Sequence, residues 1–135
     1  MPTFPHGLLF IRVYCEDTDF SGRVFHASHL KFLERGRTEW LRRLGFSQST
    51  VAANDGIGFA VRRLQVEYLA PALMDDLLRI ETELSELRRV SIQFRQRILR
   101  DQEPIVTAAV LVASIRAGRP ARLPESLLER LRTFR

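Results

Sequence analysis

A short acidic segment near the start of the chain carries the residue types best suited to chemistry. Three carboxylates, Glu16, Asp17 and Asp19, fall within four residues. Like charges held this close raise the pKa of at least one carboxyl group unless backbone amides or arginines compensate. The segment leads into a predicted helix, and the amides at a helix N-terminus stabilise a developing oxyanion. A carboxylate beside such a helix end is the minimum equipment for acyl transfer.

The same segment has other interpretations. Aspartate-rich turns are commonly solvated turns or helix caps. The spacing of Asp17, Asp19 and Ser21 matches the first half of a calcium loop, with glycine at the sixth position. The twelfth position of such a loop needs a bidentate glutamate and is Ser28 here, and the preceding segment is strand-like rather than helical. We therefore exclude a calcium site.

Two further chemistries receive less support. A transition-metal site would use His26 and His29 together with Asp17 or Asp19. A single histidine pair three residues apart is weak evidence, and His29 fits equally well as a packing residue, so we predict no metal. A serine hydrolase is disfavoured because the chain has no G-x-S-x-G motif. The only cysteine, Cys15, lies in a predicted strand among apolar neighbours, where thiols are usually buried and inert.

The acidic segment lies between a predicted strand and a predicted long helix. Leu8–Glu16 is rich in β-branched and aromatic residues, which predicts a strand. From Ser28 onward, apolar residues recur at spacings of three and four, which predicts an amphipathic helix of about seventeen residues. Gly45 is a typical C-terminal stop for this helix. We expect the helix to supply the largest part of the core.

The remaining segments predict an α+β domain, in which one long helix packs on an antiparallel sheet. A short helix is expected after Ser47, and another after Pro124, whose leucine stripe continues to Phe134. The predicted strands are Ile57–Tyr68, Leu77–Leu87, Val90–Leu99 and Ile105–Ile115. The last of these is almost continuously apolar, which is typical of a strand at the centre of a sheet. One helix cannot cover a large sheet, and long strands leave exposed edges, so we expect an oligomer.

Length and composition limit the class of protein. The 135 residues, 45% hydrophobic and 27% charged, predict a single globular domain over residues 1–135. The net charge of +5, carried almost entirely by arginine, favours nucleic acid, an anionic membrane surface or a phosphorylated small molecule as partner. One cysteine, no signal-peptide pattern and no apolar run of about 20 residues predict a cytoplasmic protein without a transmembrane segment.

Several stretches of the sequence carry a family resemblance. They are residues 13–28 (VYCEDTDFSGRVFHAS), 32–39 (FLERGRTE), 59–71 (FAVRRLQVEYLAP) and the aspartate pair at 75–76. Together they closely resemble the hot-dog-fold acyl-CoA thioesterases, in particular the YbgC type associated with the Tol–Pal system, relatives of 4-hydroxybenzoyl-CoA thioesterase. The resemblance implies a hot-dog fold, with one long central helix packed on a curved antiparallel sheet of about five strands. It also implies hydrolysis of an acyl-CoA to a free acid and a thiol.

The resemblance implies roles for individual residues of the acidic segment. Asp19 matches the catalytic carboxylate, which acts as a general base on water or as a nucleophile on the thioester. Gly22 permits a tight turn beside the thioester. The backbone amide of His26 polarises the carbonyl, and its side chain helps to orient water or substrate. Asp17 braces the loop, and no metal or redox cofactor is expected, since coenzyme A enters as part of the substrate.

Residues on the predicted helix also match the family motifs. Glu34 and Arg37 are expected to form a structural ion pair, and a secondary active-site role is the alternative. Gly36 stands where alanine is usual in the relatives, and it costs on the order of 1 kcal/mol of helix stability unless it permits close packing against another backbone. Arg23 departs from the apolar residue that relatives usually carry beside the catalytic loop.

Arginines on the strands are implied to bind coenzyme A. Arg88 and Arg89 match positions that contact the nucleotide phosphates in relatives, and the alternative is that two arginines at a hairpin are simply solvated. Arg63 and Arg62 are further candidates. Adjacent strand residues point to opposite faces, so we expect at most one of these two to face the site.

The resemblance also implies partners. Two chains form a dimer whose helices pack together with the active site at their interface, and two dimers form a homotetramer. An acyl carrier protein thioester is an alternative substrate, and non-catalytic binding to acyl carrier protein in a lipid-synthesis complex is the alternative function. Nucleic-acid binding is disfavoured because the arginines are scattered without interleaved aromatics.

Overall fold

The computed structural model describes residues 7–133, and its helices and strands follow in the predicted order. The strands are β1 (Gly7–Arg12), β2 (Gly58–Tyr68), β3 (Leu77–Leu87), β4 (Ser91–Arg100), β5 (Glu103–Arg116) and β6 (Arg119–Pro120). The helices are α1 (Ser28–Arg43), α2 (Gln48–Asp55) and α3 (Glu125–Arg132). Phe134, predicted to extend the stripe of α3, lies outside the described residues.

The strands form one antiparallel sheet in the order β1-β3-β4-β5-β2, with β6 paired to the end of β5. The predicted α+β architecture is therefore confirmed. The middle strand is β4 rather than β5, which lies between β4 and β2. β5 is nevertheless flanked by strands on both sides, which accounts for its apolar sequence. The edges of the sheet are β1 and β2.

The core lies between α1 and one face of the sheet. The predicted stripe on α1 is buried, including Phe32, Leu33 and Trp40, which are at most 1% exposed. The indole of Trp40 meets the ring of Phe94 on β4 edge to face, with centroids 5.3 Å apart. Burial of such large apolar side chains is the main force that holds α1 on the sheet.

Gly36 lets α1 approach the sheet closely. A Cβ atom at this position would lie 2.7 Å from Cγ2 of Ile80 and 3.0 Å from Oγ1 of Thr82, both on β3. The close-packing interpretation of this glycine is therefore correct, although the neighbours are side chains rather than another backbone. The helix-stability cost of glycine is offset by this tight contact with β3.

The first strand is shorter than predicted. β1 ends at Arg12, opposite Leu77 at the start of β3, and the main chain of Val13 bonds instead to Asp75 and Asp76 in the turn before β3. The chain then forms a 3-10 turn over Cys15–Asp17. The thiol of Cys15 is exposed in this turn, and the prediction that it is buried in a strand is wrong.

The two short helices begin where the sequence predicts. The hydroxyl of Ser47 caps α2 by accepting the backbone N–H of Thr50 at 3.3 Å. α3 follows Pro124 and buries its leucine stripe. Within residues 7–133, no helix combines the length and apolar character needed to cross a membrane.

Candidate active site

The acidic segment folds into a tight loop between β1 and α1. Oδ2 of Asp17 accepts the N–H of Tyr14 at 2.8 Å, and its carbonyl accepts the N–H of Phe25 at 2.9 Å. Gly22 has a φ of 80°, in the left-handed region that favours glycine, and its N–H donates to the carbonyl of Asp19 at 3.1 Å. Asp17 thus braces the loop, as predicted, and Gly22 makes its turn.

The carboxylate of Asp19 is exposed in the single chain and is held by its neighbour Ser21. Oδ1 accepts the hydroxyl of Ser21 at 2.6 Å and the backbone N–H of Ser21 at 2.8 Å. These two hydrogen bonds, the hydroxyl first, lower the pKa of Asp19 below its ordinary value. Asp19 is therefore ionised at neutral pH. Both bonds go to Oδ1, and the charge and the backbone N–H of Arg23 lower the pKa of Asp19 further.

The turn before α1 is held by two side chains from different elements. The hydroxyl of Tyr68, at the end of β2, donates to the carbonyl of His26 at 2.8 Å. Nδ1 of His29, in the first turn of α1, lies 3.1 Å from the same carbonyl. His29 is 3% exposed, and its ring lies edge to face with Tyr68 at 5.2 Å. Burial lowers the pKa of His29, so its ring is neutral near pH 7.

The two histidines that a transition-metal site would use have different neighbours. The ring of His29 faces the main-chain carbonyl of His26, whereas the exposed ring of His26 lies 4.3 Å from the ring of Phe25. Among the residues that the structure describes, no three histidine, cysteine or acidic side chains are grouped so as to hold a metal ion.

An apolar groove runs along α1 from the end nearest the loop. It has a volume of about 240 Å³ and lies between the helix and the edge strand β2. Its lining residues are Leu30, Leu33, Arg37, Val61 and Leu64. On the other side of Arg37 a hollow of about 100 Å³ opens, lined in part by Glu34, Thr38 and Gln48. The groove is open to solvent in the single chain, since Val61 is 50% and Leu64 37% exposed.

Glu34 and Arg37 do not form the predicted ion pair but have separate partners. The guanidinium of Arg37, which is 9% exposed, donates to Oε1 of Gln96 at 3.1 Å. The carboxylate of Glu34 accepts the hydroxyl of Thr38, one helical turn further on. Burial lowers the pKa of Arg37, and the charge of Glu34 partly offsets this. Gln96 on β4, which the sequence analysis did not single out, is thus the partner of a buried charge.

The predicted phosphate-binding arginines lie at the far end of the sheet. A hollow of about 350 Å³ is lined by Arg62, Arg63 and Arg88 together with Glu86, whose carboxylate accepts from Arg88 at 2.9 Å. Arg62 and Arg63 both face this hollow because a bulge follows Val61. The alternation of faces on which the expectation for this pair rested therefore does not hold at the bulge.

Arg89 occupies a different position from Arg88. Its side chain is exposed at the turn between β3 and β4, and its carbonyl accepts the N–H of Leu123 at 2.8 Å. The main chain of Arg89 therefore anchors the segment that leads into α3. The structure brings Arg88 together with the arginines of β2, and it does not place Arg89 in the wall of that hollow.

Within one chain, Asp19 and the arginine hollow lie at opposite ends of β3. The turn before β3 contacts the acidic loop, since the N–H of Met74 donates to the carbonyl of Gly22 at 3.2 Å. Arg88 follows the other end of the strand. Eleven strand residues span about 35 Å. A substrate that contacts both regions therefore needs either this whole length or a second chain.

An acidic loop that leads into a long helix packed on an antiparallel sheet is the arrangement expected of a hot-dog thioesterase. A family model described as the Thioesterase-like superfamily matches residues 13–131. The chain belongs to this family, as the motifs predicted.

Individual relatives agree with this assignment. The chain is 42% identical over 119 residues to the acyl-CoA thioesterase YbgC of Haemophilus influenzae, covering 87% of this chain and 88% of that protein. It is 44% identical over 121 residues to the acyl-CoA thioester hydrolase YbgC of Escherichia coli O157:H7, covering 87% and 90%. The crystal structure of a probable thioesterase from Bartonella henselae superposes with a TM-score of 0.84 at 41% identity, covering 87% and 98%. The predicted hot-dog fold is thereby confirmed.

Proposed function

We propose that the chain hydrolyses the thioester bond of an acyl-CoA and releases a free acid and a thiol. The observation that carries this proposal is the ionised Asp19 carboxylate, which accepts two hydrogen bonds from Ser21 in the loop that precedes α1. Curated relatives at 42% and 44% identity are named as acyl-CoA thioester hydrolases. Their names, together with the intact Asp19, favour catalysis over the alternative of a non-catalytic partner of acyl carrier protein.

The proposed reaction needs few groups because a thioester is already activated. The oxygen of a water, or Oδ2 of Asp19, attacks the carbonyl carbon, and in the first case Asp19 takes the proton of the water. The backbone amide of His26, two residues before α1, stabilises the negative charge that develops on the carbonyl oxygen. The carbon–sulfur bond then breaks, and the coenzyme A thiolate leaves and takes up a proton. Where Asp19 is the nucleophile, a water then cleaves the acyl–Asp19 anhydride, which releases the free acid and restores the carboxylate. We propose no metal or redox cofactor for these steps.

The acyl group and the nucleotide occupy separate regions in this proposal. The acyl group lies in the groove beside α1, whose wall is mostly apolar and begins at Leu30, next to the loop. The phosphates of coenzyme A lie against Arg63 and Arg88, with Arg89 nearby. Arginine suits this task because its planar fork binds phosphate through two parallel hydrogen bonds.

A homodimer is the smallest assembly that we propose. β2 is an edge strand of eleven residues, and a long exposed edge is a template for pairing with another strand. Antiparallel pairing of two β2 strands would place Tyr68 of one chain beside Gly58 of its partner. Asp19 of one chain would then approach the arginine hollow of the other, and the second chain would cover the groove. The further assembly into a homotetramer rests on the family resemblance.

The proposed reaction also bears on where the protein acts in the cell and on a second class of substrate. We place the protein in the cytoplasm, where acyl-CoA is made and where a single free thiol stays reduced. An acyl carrier protein thioester is the second substrate to test, because its acidic surface complements a chain of net charge +5.

The proposal is tested by following thiol release from a panel of acyl-CoAs that differ in chain length and aromatic character. Acyl carrier protein thioesters of the same chains form a parallel series. We expect turnover of at least one acyl-CoA by the purified wild-type protein. Absence of turnover with every thioester would transfer the assignment to the non-catalytic alternative.

Ser21→Ala is expected to shift the pH profile of hydrolysis. The hydroxyl of Ser21 makes the largest contribution to the lowered pKa of Asp19, so its removal raises that pKa. The ionised carboxylate is the active form, and a raised pKa therefore moves the acid limb of kcat/KM to higher pH. Activity at pH 5 should fall more than activity at pH 8. Ser126→Ala, on the exposed face of α3, is the control, and identical acid limbs in all three proteins would contradict the prediction.

Replacing both Arg88 and Arg89 by alanine is expected to raise KM for an acyl-CoA about tenfold, the loss of about one charge-assisted hydrogen bond. KM for a short thioester without a nucleotide should stay near the wild-type value, since it has no phosphates to bind. The single variants separate the two residues, and we expect Arg88→Ala to have the larger effect because Arg88 lines the hollow. Arg130→Ala on α3 is the charge-matched control for each single variant. Equal effects on both substrates would exclude phosphate contacts.

A further inference from the structure

The carbonyl oxygen of His26 receives two hydrogen-bond donors. The hydroxyl of Tyr68 donates at 2.8 Å, and Nδ1 of His29 lies at 3.1 Å. A carbonyl oxygen only accepts, so we assign the proton of the neutral His29 ring to Nδ1. Both lone pairs of the His26 carbonyl are then used by side chains that come from two different elements, β2 and α1.

The other nitrogen of His29 indicates why this residue is a histidine. Nε2 is sealed from water and has no hydrogen-bond partner within residues 7–133. A buried polar atom without a partner is destabilising, and a leucine would fill the same space without it. Packing alone therefore does not account for histidine at this position. The property that distinguishes it from an apolar residue is the Nδ1–H donor directed at His26.

The two donors fix a peptide group at the entrance to α1. Because the peptide group is planar, holding the carbonyl of His26 also fixes the N–H of Ala27 and the ψ angle of His26. The direction of the His26 amide relative to this fixed peptide depends on that angle together with the φ angle of His26. Hydrogen bonds to a carbonyl also polarise its peptide group. Movement of this turn would displace the amide from the position of a developing oxyanion.

We propose that Tyr68 and His29 are positioning residues, which clamp the main chain of His26 so that its amide faces the thioester carbonyl. This inference rests on the proposed hydrolase function and adds two residues to its machinery. Neither side chain needs to touch the substrate. Their contribution is made to the transition state, because an oxyanion needs a donor already held in place.

The test compares variants that remove or keep each donor. Tyr68→Phe deletes only the hydroxyl, and His29→Leu deletes the Nδ1–H donor while filling the space. Each is expected to lower kcat about tenfold, as for one hydrogen bond lost in the transition state, with KM close to the wild-type value. His29→Asn keeps an N–H donor near the Nδ1 position and should recover most of the activity. Ser126→Ala, which removes a hydroxyl from the exposed face of α3, is the control.

A second measurement detects the hydrogen bonds to the His26 carbonyl independently of catalysis. In backbone NMR spectra we expect the carbonyl carbon of His26 and the amide of Ala27 to shift in Tyr68→Phe, while resonances of α3 stay in place. If the wild-type protein hydrolyses the thioester and both Tyr68→Phe and His29→Leu do so at the same rate, the positioning role is overturned and the proposed function stands. The positioning role is also overturned if the loss of kcat in each variant equals the loss of folded protein measured by thermal unfolding. An inert wild-type protein would overturn the proposed function together with this inference.

Discussion

Asp19→Asn is expected to reduce thioester hydrolysis by a factor of about 10² to 10⁴, the range that a positioned acid or base supplies. The amide has nearly the shape of the carboxylate, and its oxygen can still accept the two hydrogen bonds from Ser21. The loop should therefore keep its conformation. What the variant lacks is the negative charge and basicity with which Oδ2 takes a proton from water or attacks a carbon. The measurement is thiol release at saturating acyl-CoA.

Two further substitutions make this result specific. Asp55→Asn, at the exposed end of α2, changes the net charge by the same amount and should leave hydrolysis unchanged. Asp17→Asn tests the brace, because the carboxylate of Asp17 holds the N–H of Tyr14 and does not face the substrate in this proposal. An asparagine oxygen can keep that bond, so a modest loss is expected. Hydrolysis at the wild-type rate by Asp19→Asn would remove Asp19 from the mechanism.

Much of the fold was predictable because local patterns specify it. The spacing of apolar residues from Ser28 onward gives α1, and Ser47 caps α2 as expected. The predicted strand Leu77–Leu87 coincides with β3. In each case the signal lies within one element, as a periodicity or as a cap. The loop that carries Asp19 was identifiable for the same reason, since its residues are contiguous in the chain.

The errors arise where the structure depends on residues distant in sequence. β1 stops at Arg12 because its partner strand begins opposite that residue. The bulge after Val61 turns Arg62 and Arg63 to one hollow, and an alternation rule cannot foresee a bulge. Tyr68 reaches His26 across 42 residues. No spacing in the sequence indicates such a contact before the sheet is assembled.

Gln96 is the clearest example of a residue that only the assembled fold reveals. It is completely buried on β4, and every polar atom of its side chain has a partner. Nε2 donates to the carbonyl of Leu33 and to Oγ1 of Thr82, both at 2.9 Å, and Oε1 accepts from Arg37 at 3.1 Å. One side chain thus ties α1 to β3 and β4. It also stabilises the buried guanidinium that forms the end of the apolar groove.

Gln96→Leu is expected to lower the free energy of unfolding by about 3 kcal/mol, since it leaves a buried charged donor without its acceptor. The leucine has a similar volume, so the loss measures polar contacts rather than a cavity. Urea denaturation at pH 7 gives the value, with an unchanged m-value as evidence that unfolding stays two-state. Gln93→Leu, on the opposite face of the same strand, is the matched control and should cost far less.

The double variant Arg37→Met with Gln96→Leu separates the two explanations for such a loss. If the cost of Gln96→Leu arises from stranding the guanidinium, removing that group as well should restore at least half of the lost stability. If the cost arises instead from the bonds to Leu33 and Thr82, the double variant should be no more stable than the single one. We expect restoration, because a hydrogen bond to a charged donor is stronger than one between neutral groups. Additive losses in the double-mutant cycle would show that Gln96 serves the packing of α1 and not the charge of Arg37.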